Sequence, residues 1–105
     1  MKDDKVIKPG SRWKSHVCSA EAIVVRPPRG EGVPECGGVA MSPLDVEAVP
    51  QTIKPGFEGG CLLGKRYRSE STGLEMLCTK PGAGALGFGG EVLEVLNAKP
   101  LPSSD

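Results

Sequence analysis

The chain has 105 residues, enough for one small domain, and its thirteen basic and thirteen acidic residues cancel. A zero balance gives no electrostatic footing for nucleic acid or an anionic membrane, and no apolar run approaches the length needed to span a bilayer. Fifteen glycines and ten prolines argue for short strands and tight turns, and with one Trp, one Tyr and two Phe the core must rest on Val, Leu, Ile and Met.

Residues 1–9 read as a polar arm. Met1-Lys2-Asp3-Asp4-Lys5 is not followed by the apolar segment of a signal peptide, so a cytoplasmic location with reduced cysteines is expected. Arg12 to Val17 is a first strand candidate with Trp13 inward. Glu21 to Arg26 carries the β-branched run of a second. Pro27-Pro28-Arg29-Gly30-Glu31-Gly32 is a turn, because Pro fixes φ and Gly permits positive φ. Val33 to Cys36 returns, and Gly37-Gly38 closes the unit. Residues 42–60, punctuated by Pro43, Pro50, Pro55, Gly56, Gly59 and Gly60, read as a linker. Leu63 to Ser69 and Leu74 to Thr79 are the next strands. Pro81-Gly82-Ala83-Gly84 is a turn, Ala85 to Phe88 returns, Gly89-Gly90 is a hairpin signal, and Glu91 to Leu96 is a final strand. Residues 97–105 form an exposed tail. Gly82 to Gly87 fits a GxGxxG count, but no helical pattern follows, so a nucleotide loop is rejected.

The chain repeats. At an offset of 54, Gly10, Arg12, Ser15, Glu21, Pro27 and Gly30 fall on Gly64, Arg66, Ser69, Glu75, Pro81 and Gly84. Trp13 meets Tyr67, and Ile23 meets Leu77. After a two-residue deletion, Cys36 to Met41 meets Phe88 to Leu93. A doubled unit implies one supersecondary element used twice, each copy burying the other's apolar face. The expected architecture is a single all-β domain, residues 1–105. Two pseudo-symmetric short β-hairpin units, about 10–41 and 61–96, pack together as a small sheet or barrel.

Trp13-Lys14-Ser15-His16-Val17-Cys18-Ser19 and Cys36-Gly37-Gly38-Val39-Ala40-Met41, separated by a strand and a Gly-rich turn, resemble the desulforedoxin domain. That family, found also at the N-terminus of desulfoferrodoxin, is a small β-rich knot. It holds one iron on four cysteine thiolates, and its short domain dimerises. The resemblance implies that this chain is such a dimer made covalent. Ser15 stands at the first ligand position, Cys18 at the second, Cys36 at the third and Gly37 at the fourth. In the second unit Ser69, Thr72, Phe88 and Gly89 occupy all four. The family's electron transfer needs the full thiolate set.

Three readings of the cysteines stay open: packing as small hydrophobes, a zinc or iron site, and a reversible disulfide. A metal would use Cys18 and Cys36, joined by His16, by Cys61 from the insertion 57–64, or by a second chain. Cys78 reads as strand core. His16, the only histidine, lacks the neighbours of a catalytic base, and no enzyme activity is expected. Glu21 and Glu75 recur and read as salt-bridged to Arg12 and Arg66, or as solvent-facing. The function expected is a non-catalytic interaction module, self-associating or an accessory subunit of a bacterial enzyme. It would recruit a protein partner at exposed strand edges, with Trp13 and Tyr67 as apolar anchors. The alternative is a redox-type protein with a metal site at Cys18 and Cys36.

Overall fold

The computed structural model describes residues 7–47 and 49–96; most of the polar arm and the whole 97–105 tail lie outside the described residues. Among the described residues there are ten strands and no helix. They are β1 (Arg12–Lys14), β2 (Glu21–Arg26), β3 (Pro34–Cys36), β4 (Val39–Ala40), β5 (Ser42–Pro43), β6 (Arg66–Arg68), β7 (Glu75–Lys80), β8 (Leu86–Phe88), β9 (Glu91–Val92) and β10 (Glu94–Leu96). A six-stranded antiparallel sheet runs β10-β6-β7-β2-β1-β5, and a four-stranded one runs β4-β3-β8-β9. The all-β expectation holds.

Both sheets are centred on the same approximate dyad. In the larger sheet Ile23 lies opposite Leu77, its own repeat mate, so the axis passes between them. Val24 opposite Met76 is then the symmetry mate of Cys78 opposite Ala22, and Glu21 opposite Lys80 is the mate of Glu75 opposite Arg26. The register slips once on each side, leaving Val25 and its equivalent Thr79 unpaired, so even the β-bulges are duplicated. In the smaller sheet, offset by 52 after the deletion, Glu35 lies opposite Gly87 on the axis. Backbone bonds flanking the strands repeat as well. Gly10 N–H donates to the Val24 carbonyl at 2.8 Å, and Gly64 N–H donates to the Cys78 carbonyl at 2.9 Å.

Strand periodicity puts alternate residues inward. Ala22 and Val24 of β2, Met76 and Cys78 of β7, and Cys36, Leu86 and Phe88 of the smaller sheet share one apolar cluster. Trp13 and Tyr67 occupy equivalent inner places in it, 4% and 7% exposed. Met41 and Leu93 mark where each unit's last stretch bends from one sheet into the other. Each is buried and donates its N–H across the bend, Met41 to the Pro34 carbonyl at 2.8 Å and Leu93 to the Leu86 carbonyl at 2.9 Å. The final strand read over 91–96 is therefore two strands, broken at Leu93.

Two further expectations are corrected. The first strand ends at Lys14, because the Ser15 hydroxyl captures the next free amides, of Val17 and Cys18. The stretch read as a linker begins with β5, which pairs with β1 at the sheet edge. The rest is tied to the body: Gln51 N–H reaches the His16 carbonyl at 2.8 Å, Lys54 N–H reaches the Gly37 carbonyl at 2.8 Å, and Ala85 N–H reaches the Phe57 carbonyl at 3.0 Å.

Leu74 is fully buried in the core cluster. Leu74→Ala is expected to cost roughly 2–5 kcal/mol in urea unfolding. The exposed Leu63→Ala should change stability by less than about 0.5 kcal/mol.

Candidate functional site

The loop between β1 and β2 folds into a knuckle around Ser15. Its Oγ accepts hydrogen bonds from the amides of Val17 at 3.0 Å and Cys18 at 3.2 Å, while its own N–H donates to the Ala20 carbonyl at 2.9 Å. The second unit repeats the device: Ser69 Oγ accepts from Thr72 N–H at 3.1 Å, and Ser69 N–H donates to the Leu74 carbonyl at 2.8 Å. Both serines are buried, and both are satisfied. The turn is closed by hydroxyls where the resemblance would place thiolates.

The knuckle places Cys18, half-buried, over Cys36 at the end of β3, with the two sulphurs 3.7 Å apart. Cys36, Cys61 and Cys78 are all buried, and the Cys78 thiol donates to the Lys80 carbonyl at 3.1 Å. Cys61 is placed by the insertion before β6, whose backbone pairs with Gly82: Cys61 N–H donates to the Gly82 carbonyl at 3.0 Å. Cys78 comes from β7.

The 81–84 loop forms the roof. Ser19 Oγ–H holds it through the Pro81 carbonyl at 2.9 Å, and Gly84 N–H points at Cys18 Sγ from 3.4 Å. A Cβ on Gly82 would stand 2.5 Å from Cys18 Sγ, and one on Gly84 would stand 3.0 Å from Cys36 Sγ. Real Cβ atoms do not approach as closely as 2.5 Å, so position 82 admits only glycine, and at 84 the neighbours would have to give way.

Burial and hydrogen bonding divide the thiols. Burial raises the pKa of Cys18, but the hydrogen bonds from Ser15, Gly84 N–H, Ala20 N–H and Cys36 outweigh it and leave the thiol lowered. The bond given to Cys61, then burial, pushes Cys36 well up. Cys61 accepts from Cys36 and, against the opposing effect of burial, also gains from Cys78 and Gly82; it is drawn down to about 6. Burial first, then the charge of Cys61, pushes Cys78 up to about 12. Cys18 and Cys61 are thus lowered, Cys36 and Cys78 raised.

The other candidate residues lie apart from this centre. His16 has both ring nitrogens engaged: Nδ1 accepts from Val49 N–H at 3.0 Å, so Nε2 carries the proton and donates to Ser42 Oγ at 2.7 Å. That histidine pins Val49 and β5, and it has no lone pair left for a metal. Trp13 and Tyr67 are interior: Trp13 Nε1–H donates to Ser11 Oγ at 3.0 Å, and Tyr67 Oη accepts from Leu62 N–H at 2.9 Å. Their rings serve the core and leave no exposed face for an anchor. Glu75 pairs with Arg66 at 3.5 Å, whereas Glu21 pairs with Lys80 across the seam at 3.5 Å instead of with Arg12.

An iron held as the resemblance implies does not fit. Two of its four positions are Ser15, spent on the knuckle amides, and Gly37, which has no side chain. Among the described residues no group of three or more His, Cys, Asp or Glu side chains is arranged to hold a metal ion. Comparison with family models, curated proteins and solved structures returns no match for the chain.

Sequence reasoning reached Cys18, Cys36 and Cys61, and missed Cys78, Gly82 and Gly84. The available signal was disagreement between the copies. Cys18 faces Thr72 in the repeat, Cys36 faces Phe88, Cys78 faces Val24, Gly82 faces Pro28, and Cys61 lies in an insertion.

Ser15→Ala should unfasten two amides and cost roughly 1–3 kcal/mol. It should also slow iodoacetamide capture of Cys18 at neutral pH several-fold, because the thiolate loses a donor. A second expectation follows from linkage. The Cys78 thiol ionises near 9.0 when free and near about 12 in the fold. Between those values the unfolded chain binds fewer protons, so the Cys78 contribution to stability is whole below 9.0 and falls as pH rises. Urea midpoints through that window should drop less steeply in Cys78→Val than in the parent.

Proposed function

We propose that the domain is a thiol–disulfide redox module whose centre is the Cys18–Cys36 pair. One observation carries the reading: a half-exposed cysteine, held among hydrogen-bond donors, sits 3.7 Å from a buried second cysteine. Exchange needs an accessible thiolate to attack and a nearby thiol to resolve. Cys18 has access and a lowered pKa; Cys36 has proximity and is shielded from other attackers.

The step balances. The Cys18 thiolate attacks one sulphur of a substrate disulfide, RS–SR. That bond breaks, the first RS⁻ leaves with the electron pair, and a mixed disulfide forms. RS⁻ takes the Cys36 proton, and the Cys36 thiolate attacks the Cys18 sulphur and expels the second RS⁻. The protein dithiol is oxidised by two electrons, and the substrate is reduced to two thiols. Closing the pair requires the sulphurs to approach by roughly 1.7 Å to reach a disulfide bond of about 2.05 Å, within the sweep of side-chain rotation. The reverse reaction gives the same pair the role of an oxidant toward thiols.

The test equilibrates the full chain with a low-molecular-weight disulfide and its thiol at graded ratios, then maps cysteines by mass spectrometry. A reversible Cys18–Cys36 disulfide in monomeric protein is expected, and Cys18→Ser should abolish it. A mixed disulfide on Cys18 that never closes onto Cys36 would overturn the reading. So would stoichiometric zinc or iron in untagged protein, lost on Cys18→Ser, since that outcome makes the pair metal ligands.

A further inference from the structure

The chain's basic and acidic residues cancel in sum, but the fold does not spread them evenly. Directly paired residues of neighbouring strands share one face of a sheet. In the six-stranded sheet Trp13, Ala22, Val24, Tyr67, Met76 and Cys78 are buried on the inner face, so the residues alternating with them point outward. That outer face carries Arg12, Lys14, Arg26, Arg66, Arg68 and Lys80 against Glu21, Glu75 and Glu94. Six cations against three carboxylates leave a surplus of three. Glu75 pairs with Arg66 and Glu21 with Lys80; among the described residues Arg12, Lys14, Arg26 and Arg68 have no ion-pair partner. The strands of the smaller sheet hold Glu35 and Glu91 and no cation.

The turn leading into β6 adds a second feature. Lys65 N–H donates to the Leu62 carbonyl at 3.2 Å, and the turn presents Leu62 and Leu63 at 61% and 64% exposure, the most exposed large apolar side chains among the described residues. Backbone groups hold this turn. Gly64 N–H donates to the Cys78 carbonyl at 2.9 Å, Cys78 N–H donates to the Lys65 carbonyl at 3.0 Å, and Leu62 N–H donates to Tyr67 Oη at 2.9 Å. Neither leucyl side chain is needed to form it. At the equivalent place, 54 residues earlier, the first unit has Lys8 and Pro9, so the duplicated scaffold does not call for leucine here.

We propose that the domain docks on an anionic phospholipid surface. Leu62 and Leu63 enter the boundary between headgroups and acyl chains, while Lys65, Arg68 and the other cations of the outer sheet face lie against the headgroup phosphates. Peripheral binding grows with the apolar area inserted and with the attraction of basic residues to anionic lipid, and this corner of the fold supplies both. A second copy does not suit the face, because two surfaces of the same surplus repel. Single-stranded nucleic acid is held on exposed rings, and Trp13, Tyr67 and Phe88 are buried. A duplex phosphate backbone offers exposed leucines nothing to bury in. The inference is independent of the redox reading and makes no use of Cys18.

The experiment sediments the full chain with phosphatidylcholine vesicles made with and without phosphatidylserine. Binding is expected only with phosphatidylserine, and added salt should release the protein. The double variant Leu62→Ser, Leu63→Ser should weaken it about tenfold or more, and so should Lys65→Glu with Arg68→Glu, each with a urea midpoint near the parent's. Absence of binding to phosphatidylserine vesicles would overturn the proposal, as would equal binding to phosphatidylcholine alone. Binding that either double variant leaves unchanged would overturn it too. Tighter binding to duplex DNA, insensitive to the leucine changes, would assign the basic face to nucleic acid instead.

Discussion

The pairing of β2 with β7 across the dyad is the constraint on which the structure depends. In isolation each unit would end in a bare edge at its longest strand. That edge would expose a row of unpaired amides and carbonyls, and its inner face would leave Ala22 and Val24, or Met76 and Cys78, unburied. Joining the two edges satisfies both rows at once and brings the inner faces into one cluster. The same dyad joins β3 to β8, so the second sheet closes the other side of the core. Ile23 opposite Leu77 sets the register. A slip of one residue there would turn every inner side chain of both long strands outward.

The duplication was legible in the sequence because it is carried by residues with local duties. Glycines and prolines at turns, and Trp13 with Tyr67 at matching strand positions, keep their spacing in both copies. Elements whose fate depends on distant partners were not legible. Residues 42–60 have the composition of a linker, but their amides find acceptors at His16 and Gly37, and composition carries no trace of such long-range bonds. Met41 and Leu93 look like ordinary members of extended runs; the bend arises because each must follow the core from one sheet to the other. Cys78 was read rightly as strand interior. Cys61 arrives on an insertion whose path nothing local dictates.

The serines at positions 15 and 69 let each knuckle close on a hydroxyl. A turn that gathers two or three amides around one acceptor needs only an atom able to take those bonds. A hydroxyl does this as a neutral group, so each knuckle is complete in itself. The change also releases Cys18. With Ser15 closing the turn, the cysteine sulphur need not cap its own loop and is turned toward Cys36 and the Gly84 amide.

Internal symmetry supplies its own control for the cysteine positions. The place related to them by the dyad is filled by Thr72, Val24 and the ring of Phe88, which packs against Gly32. Those residues show how the fold fills that space when packing is the only demand: a large ring, a β-branched side chain and a hydroxyl that caps its neighbour. On the other side the ring is replaced by Cys36, the valine by Cys78, and Pro28 by Gly82. Each exchange gives up apolar contact or adds backbone freedom, and each is destabilising on general grounds. Buried thiols with shifted pKa values add a pH-dependent loss. Since the chain holds a better-packed solution to the same geometry, stability does not account for the exchange of all these positions together. The redox chemistry proposed for the sulphurs would, and it requires one site, in keeping with two halves that agree in their scaffold and differ where the cysteines lie.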